Sequence, residues 1–360
     1  MGAWVRRLGV SSELAATGVE GFMATMVARS PAVPRERALA LVREHYGVDG
    51  QLAPLTGERD ENFRLTASDG TRYVLKIANC AEAPPAIELQ VCALLHLEQC
   101  DPGLPCPRMV RTRAGDTQVS FEDEAGTARS ARLLSYLSGR LLGSAARSAQ
   151  QRRACGQIGA RLSRALQLFR HPGAHRALIW DVRHVGHLQH LLQQMPSFPY
   201  RARAAALLEL IVPDVERRLP GLRQQVVHND LNPLNILVDP LDESRVVGVF
   251  DFGDLTWTAL IADVAVAAAE LIPPDCATAP AAHTCVREVA GAYHADLPLW
   301  PAECALLNRL VAARLLMNVV VHEWHVQHNP ANRHYAALAP DFMATRLMIA
   351  AELLREEIRL

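Results

Sequence analysis

Apolar and polar side chains alternate with a period of two along positions 62–66, where Phe63 and Leu65 stand between Asn62, Arg64 and Thr66. The run Tyr73-Val74-Leu75-Lys76-Ile77 follows after Ser68-Asp69-Gly70. Such a period puts alternate side chains on opposite faces of a strand, and the Asp-Gly step suits a tight turn, so the spacing predicts two paired strands. Upstream, Pro34-Arg35-Glu36-Arg37 opens a stretch with Leu39, Leu41 and Val42 on one face and Gly47 near its end, which predicts an amphipathic helix. The helical pattern gives way from Gln51. Helical spacing returns from Ala86 to Glu98, and strand-like runs follow at Thr117 to Phe121 and Ala131 to Leu137. After Gly139 nearly everything is helical in pattern, apart from the short apolar runs Ile236-Leu237-Val238 and Val246 to Phe250. A strand-rich first third before a helix-rich remainder predicts an α+β chain in two lobes. The expected division is an extension over 1–33, a sheet-bearing lobe over 34–134, a hinge over 135–139 and a helical lobe over 140–360. Within the extension, Gly18 to Val27 is a further candidate helix.

The two apolar runs of the helical part frame the chain's most informative stretch. His228-Asn229-Asp230 leads to Asn235, and Asp251-Phe252-Gly253-Asp254 begins sixteen residues after that asparagine. Phosphoryl transfer needs one carboxylate to orient an attacking hydroxyl and accept its proton, and it needs an amide and a second carboxylate to hold magnesium. Asp230 is the candidate base, and Asn235 and Asp251 are the candidate metal ligands. His228 is expected to orient the loop backbone. Turn-forming Asp and Asn residues would account for either piece alone, but not for both in this order. Asp254 is expected either to face the substrate or to cap a helix that follows directly. Asp263, the one carboxylate in Ile261-Ala262-Asp263-Val264-Ala265, needs a partner if buried, and the catalytic loop is the predicted one.

Composition singles out one more position. Lys76 is the sole lysine among 37 basic residues, and it sits in a predicted strand twelve residues before Glu88. A compact ammonium fits between nucleotide phosphate oxygens and a helix carboxylate better than a planar guanidinium does. Glu88 is therefore the predicted partner, ahead of Glu82, which precedes two prolines, and Glu98, which is late in the helix. The loop from Leu55 to Asn62 lies where a phosphate-covering loop belongs, with Gly57 and Asn62 as candidate contacts. Its single glycine makes an ordinary polar hairpin equally compatible. Trp180, Arg314 and Glu323 are candidates for the substrate side of the cleft, with core packing the simpler role for the tryptophan. Arg314 or Arg309 could clamp a substrate carboxylate. His322, His325 and His328 are spaced by three and not by the four that a helical zinc pair needs.

Charge narrows the class without adding chemistry. With 37 basic against 38 acidic residues and a pI near 6.9, the chain has no basic surplus for nucleic acid or a membrane surface. Eight cysteines without a C-x-x-C pair are expected to be free thiols, pointing to a reducing, cytoplasmic setting. Arg6 and Arg7 are not followed by an apolar run of signal-peptide length, and the most apolar stretch noted, Ala259 to Ile272, contains Asp263 and Glu270. The expected partner is a small hydroxylated amine or amino acid, met by a monomer or a homodimer.

With these residues assembled, the chain resembles the aminoglycoside phosphotransferase and choline kinase-like family of small-molecule kinases. Asn229 stands where protein kinases carry arginine, and no A-P-E segment follows Asp251-Phe252-Gly253. Within that group it is most similar to hydroxylysine kinases and their bacterial relatives. The likeness is carried by Asp60-Glu61-Asn62-Phe63, Tyr73 to Asn79, Ile87-Glu88-Leu89-Gln90, Leu133 to Arg140, Ile179-Trp180-Asp181 and Phe250 to Asp254. The resemblance implies a protein-kinase-like two-lobed fold, a small antiparallel sheet lobe over a helical lobe, with ATP or GTP and Mg2+ in the cleft. It implies that Ser135, Tyr136 and Leu137 meet the purine and that Lys76 pairs with Glu88. It also implies transfer to 5-hydroxy-L-lysine or a related amine. An aminoglycoside or homoserine-type kinase on the same scaffold is the alternative, and a catalytically silent nucleotide-binding module is a remoter one.

Overall fold

The computed structural model describes residues 31–360 except 58, 125, 331–334, 336–337, 357 and 359. The candidate helix at Gly18 to Val27 lies outside the described residues. Helix α1 (Arg35–Tyr46) buries Ala38, Leu41 and Val42 and ends on Gly47, whose φ of 69° is the left-handed cap that glycine adopts without strain. Strands β1 (Gly50–Leu55), β2 (Glu61–Ala67) and β3 (Arg72–Ile77) form an antiparallel meander. Helix α2 (Pro84–Cys100) then crosses to β4 (Met109–Val110), β5 (Val119–Glu122) and β6 (Ala128–Ser135). The six strands make one sheet, with β6 between β3 on one edge and β4 and β5 on the other. One sheet face and α1 enclose a small core that includes Leu41, Val42, Leu65, Leu75 and Leu133. Helix α2 buries Leu89, Leu94 and Leu97 in a different place, the large helical core, so it ties the sheet to the other lobe.

The remainder holds β7 (Arg140–Leu141), α3 (Ala149–Ala165), α4 (Leu188–Gln194), α5 (Arg201–Arg218), β8 (Gln224–Val227), β9 (Ile236–Val238), β10 (Val246–Val249), β11 (Thr256–Ala259), α6 (Leu260–Glu270), α7 (Ala279–Asp296), α8 (Pro301–His328) and α9 (Pro340–Leu353). Gly139, in the segment leaving β6, has no room for a side chain: a Cβ would come within 2.9 Å of Leu237 and 3.0 Å of the Val238 carbonyl. That close approach seats the inter-lobe segment on β9.

Two expectations are corrected. Asp254 does not lead straight into a helix: β11 intervenes and pairs antiparallel with β8, Thr256 opposite Val227. This pairing brings the segment after Asp254 alongside the strand that enters the Asp230 loop. The longest apolar helix is also not the one around Ala259 to Ile272. It is α8, which by length and composition alone could cross a membrane, yet 78% of its most apolar window is buried inside the protein, against α5, α6 and α9. Arg309, Arg314 and Glu323 break the apolar run in the sequence, and the structure gives each a partner.

Candidate active site

The candidate catalytic loop runs from the end of β8 to the start of β9. His228 is fully buried, and its Nδ1 accepts the Asp230 backbone N–H at 3.3 Å while its ring meets Phe252 edge-on at 4.8 Å. Burial pushes its pKa down to about 4, so the ring is neutral and serves as an acceptor for the loop backbone. Asn229 sits at φ 64° and Asp251 at φ 61°, both in the left-handed region that costs a non-glycine residue roughly 1–2 kcal/mol. The surroundings hold the first of these: the Asn229 N–H donates to Asp263 Oδ1 at 2.7 Å, from a carboxylate on α6 that is 1% exposed. Burial raises Asp263 to about 6.

Asp230 is gripped on both carboxylate oxygens. Asn235 Nδ2 donates to Oδ2 at 2.6 Å and to the Asp230 carbonyl at 3.1 Å, and Arg314 Nη2 donates to Oδ1 at 3.1 Å. Burial and the neighbouring Asp254 carboxylate raise its pKa, against the pull of Arg314. The Phe250 N–H donates to the Asn235 carbonyl at 3.0 Å, so the pairing of β9 with β10 places Asn235 and Asp251 at adjoining strand ends. Asp251 is half exposed to the cleft, and Lys76 beside it holds its pKa down at about 2.

Lys76 Nζ lies 3.3 Å from Asp251 and 3.5 Å from Asp60 Oδ2. Its carboxylate partner on the sheet side is thus Asp60, not Glu88. Asp60 also takes Arg132 Nη2 at 3.2 Å and the Asn79 N–H at 3.3 Å. Glu88 is 64% exposed and faces His171 at 3.9 Å. Helix geometry supplies the reason: at 100° per residue, the side of α2 that buries Leu89 and Leu97 carries Gln90 toward the cleft and turns Glu88 away. Gln90 is buried and accepts from Arg132 at 2.7 Å. Glu88, Cys92 and His171 cluster closely enough to hold a metal. However, His171 Nδ1 accepts the Gly173 N–H at 3.1 Å, leaving the ring proton on the Nε2 that faces Glu88. That nitrogen is a donor and not a ligand.

A Cβ on Gly57 would fall 2.3 Å from Asn62 Nδ2 and 2.5 Å from the Asp60 carbonyl, so the β1–β2 loop folds over Asn62 as only glycine permits. From that loop Arg59 reaches Asp254 at 2.5 Å. Asp254 lines the cleft and does not cap α6, whose first turn has no side-chain cap. Next to this pair Glu82 accepts from Arg176 at 3.0 Å, and Arg176 donates to the carbonyls of Gly253 and Leu255. The ionic chain links both lobes along one wall of the cleft. The lining of the cleft carries five carboxylates (Asp60, Glu82, Asp230, Asp251, Asp254) against the cations Arg59 and Lys76, with Arg132, Arg176 and Arg314 paired to three of the carboxylates from the protein side.

The remaining candidates lie elsewhere. Ser135 accepts the Arg108 N–H through its hydroxyl at 2.8 Å, the Tyr136 ring is covered by Arg72 at 4.7 Å, and Leu137 packs near Gly248. None of the three lines the acidic cleft. Glu323 accepts from Gln327 along α8. All three nitrogen positions of Arg314 are taken by protein groups and its side chain is buried, so it presents no fork to a substrate carboxylate, and Arg309 is paired with Asp214 through Nε. Trp180 is half-buried against the Arg314 guanidinium. His325 stacks on Tyr335, and His328 on Trp324. Sequence reasoning missed Arg59, Asp60, Gln90, Arg176 and Glu270 as site residues. Asp60 alone left a signal, two positions before Asn62, which pairs with Lys76 in register.

Residues 51–302 match the model of the phosphotransferase enzyme family. The chain is 28% identical to hydroxylysine kinase from Mus musculus over 85% of its own length and 86% of that protein's, and 26% identical to the Danio rerio hydroxylysine kinase over 85% and 88%. Among solved structures it is similar to an amicoumacin kinase in complex with AMP-PNP and Ca2+, with a TM-score of 0.63 and 17% identity over 96% of both chains. It is also similar to a microcompartment-associated aminopropanol kinase, with a TM-score of 0.65 and 19% identity over 87% and 94%. Fold and family agree: the chain belongs to the phosphotransferase enzyme family, with a protein-kinase-like α+β fold and a hydroxyl as phosphoryl acceptor.

Proposed function

We propose that this protein transfers the γ-phosphoryl group of ATP or GTP to the hydroxyl of a small amino-bearing metabolite, and that 5-hydroxy-L-lysine is the acceptor. The observation that carries this is the cleft in which Asp230, Asn235 and Asp251 converge among five carboxylates and two cations. The lining carboxylates, three of them shared with Arg132, Arg176 and Arg314, offer acceptor oxygens to an ammonium group, and the hydroxylysine kinases align over most of their length. Two solved relatives are described as complexes with AMP-PNP and with GDP, which supports a purine nucleotide as donor.

Asp230 takes the proton of the acceptor hydroxyl as that oxygen attacks the γ-phosphorus and the nucleoside diphosphate departs. Lys76, oriented by Asp60, binds the phosphates of the donor. Asp251 is kept ionised by Lys76, and the Asn235 amide nitrogen is committed to Asp230, which leaves its oxygen available. Two such oxygen donors suit a hard divalent cation such as magnesium. When bound, that cation would offset charge on the transferring phosphates. The free thiols among the described residues support a cytoplasmic setting.

A nucleotide-consumption assay with ATP and with GTP, run across hydroxylysine, homoserine, choline, ethanolamine and aminoglycosides, tests the proposal. Turnover is expected with hydroxylysine. An acid-lined cleft also suits a polycation, so turnover with an aminoglycoside and none with hydroxylysine would reassign the acceptor.

A further inference from the structure

Arg314 lies at the centre of α8 and is 3% exposed. Its Nε donates to Glu270 Oε1 at 2.7 Å, its Nη1 to the Trp180 carbonyl at 3.0 Å and its Nη2 to Asp230 Oδ1 at 3.1 Å. The guanidinium also lies over the Trp180 ring, 4.8 Å from its centroid. Glu270 takes a second donor, Asn318 Nδ2, at 3.0 Å. A planar fork held in three directions cannot turn without breaking a bond to a largely buried partner. With Asn235 on the other oxygen, the Asp230 carboxylate is locked in one orientation.

We propose that Arg314 is a positioning residue for phosphoryl transfer: it fixes the Asp230 carboxylate toward the acceptor hydroxyl, and Glu270 and Trp180 fix Arg314. The inference rests on the reading of Asp230 as the group that takes the acceptor proton. A substrate clamp would need a fork facing the cleft, whereas Arg314 is buried and bonded to protein at each of its three nitrogens. A residue serving only to join α6 to α8 would need the Glu270 arm alone, yet another arm ends on Asp230. Two carboxylates, Glu270 and Asp230, share the single guanidinium charge, so the arrangement orients the base without leaving a buried cation unmatched.

The test compares full-length wild type with Arg314→Ala, Arg314→Lys and Asp230→Asn, each checked for fold by circular dichroism and for nucleotide Kd by calorimetry. Misplacing a reacting group by about 1 Å costs on the order of a hundredfold in rate. Arg314→Ala is expected to lose kcat by about that factor, with acceptor KM and nucleotide Kd within about threefold of wild type. Millimolar methylguanidinium is expected to recover about tenfold of the alanine variant's rate, because the missing fork is returned to its slot. Arg314→Lys, a point charge without the fork, is expected to keep the fold and lose kcat by at least about tenfold. The inference is overturned by a raised acceptor KM with intact kcat, by wild-type kcat in Arg314→Lys, or by a folded alanine variant that methylguanidinium does not rescue. If the alanine variant does not fold, the lysine variant decides alone. Turnover persisting in Asp230→Asn would instead remove the reading of the base itself.

Discussion

On the helical side of the cleft, three chemical groups are set by segments that are neighbours in the chain: Asp230, Asn235 and Asp251 follow β8, precede β9 and follow β10, and backbone bonds within the loop and between β9 and β10 fix their spacing. On the sheet side, Lys76 depends on groups gathered from separate elements. Asp60 comes from the loop before β2, Arg132 from β6 and Gln90 from α2. The first arrangement survives as a compact sequence pattern because chain connectivity does the positioning. The second has no such pattern, since any carboxylate that the fold brings to the ammonium will serve. Arg314 belongs with the second kind, reaching Asp230 from 84 residues away.

Variants can break this contrast in order of size. Removing the proton acceptor with Asp230→Asn is expected to lower kcat by about 10²–10⁴ in a folded protein, the usual worth of a general base. Initial rates of product formation check this. Next, Asp60→Asn is expected to cost about 10–100-fold in kcat/KM for the nucleotide, because a largely buried ammonium loses its orienting charge, whereas Glu88→Gln is expected to stay within about twofold. The reverse result would restore the helix glutamate as the lysine's partner.

The smallest effect concerns the supports beneath the loop, His228 and Asp263. His228 has its folded pKa depressed to about 4, so its contribution to stability is complete above the unfolded value near 6.5 and is lost as pH falls toward 4. Asp263 has its folded pKa raised to about 6, so the burden of its buried charge is relieved as pH falls through that value. The two trends oppose each other between pH 7 and 5. Relative to wild type, Asp263→Asn should lose about 1–2 kcal/mol more over that interval and His228→Asn about 1–2 kcal/mol less. Urea unfolding at the two pH values reads both, and parallel curves for all three proteins would contradict the assignment.

Much of the architecture was legible because hydrophobic spacing is local: α1, α2 and strands β2, β3, β5, β6, β9 and β10 fall within a few residues of their predicted spans. The placing of the Asp230 loop between two short strands was legible for the same reason, and so was the partnership of Asp263 with its backbone. Strand β11 was not, because Thr256 to Ala259 is too short to show a period and acquires its identity only by pairing with β8. The Glu88 assignment failed on a rotation. Glu88 and Gln90 differ by two positions, and which of them faces the cleft is decided by the apolar stripe of α2, which belongs to the large core. Arg59 and Arg176 lie among other arginines with no pattern to distinguish them, Glu82 was passed over beside its two prolines, and only tertiary packing turns them and Glu270 inward.

The most direct test is mass-resolved detection of product after incubating wild type and Asp230→Asn with ATP or GTP, Mg2+ and either 5-hydroxy-L-lysine or L-lysine. The account predicts a phosphorylated product only for the pairing of wild type with hydroxylysine. Phosphorylated product from Asp230→Asn at the wild-type rate, or its absence from wild type with every hydroxylated amine tried, would contradict it.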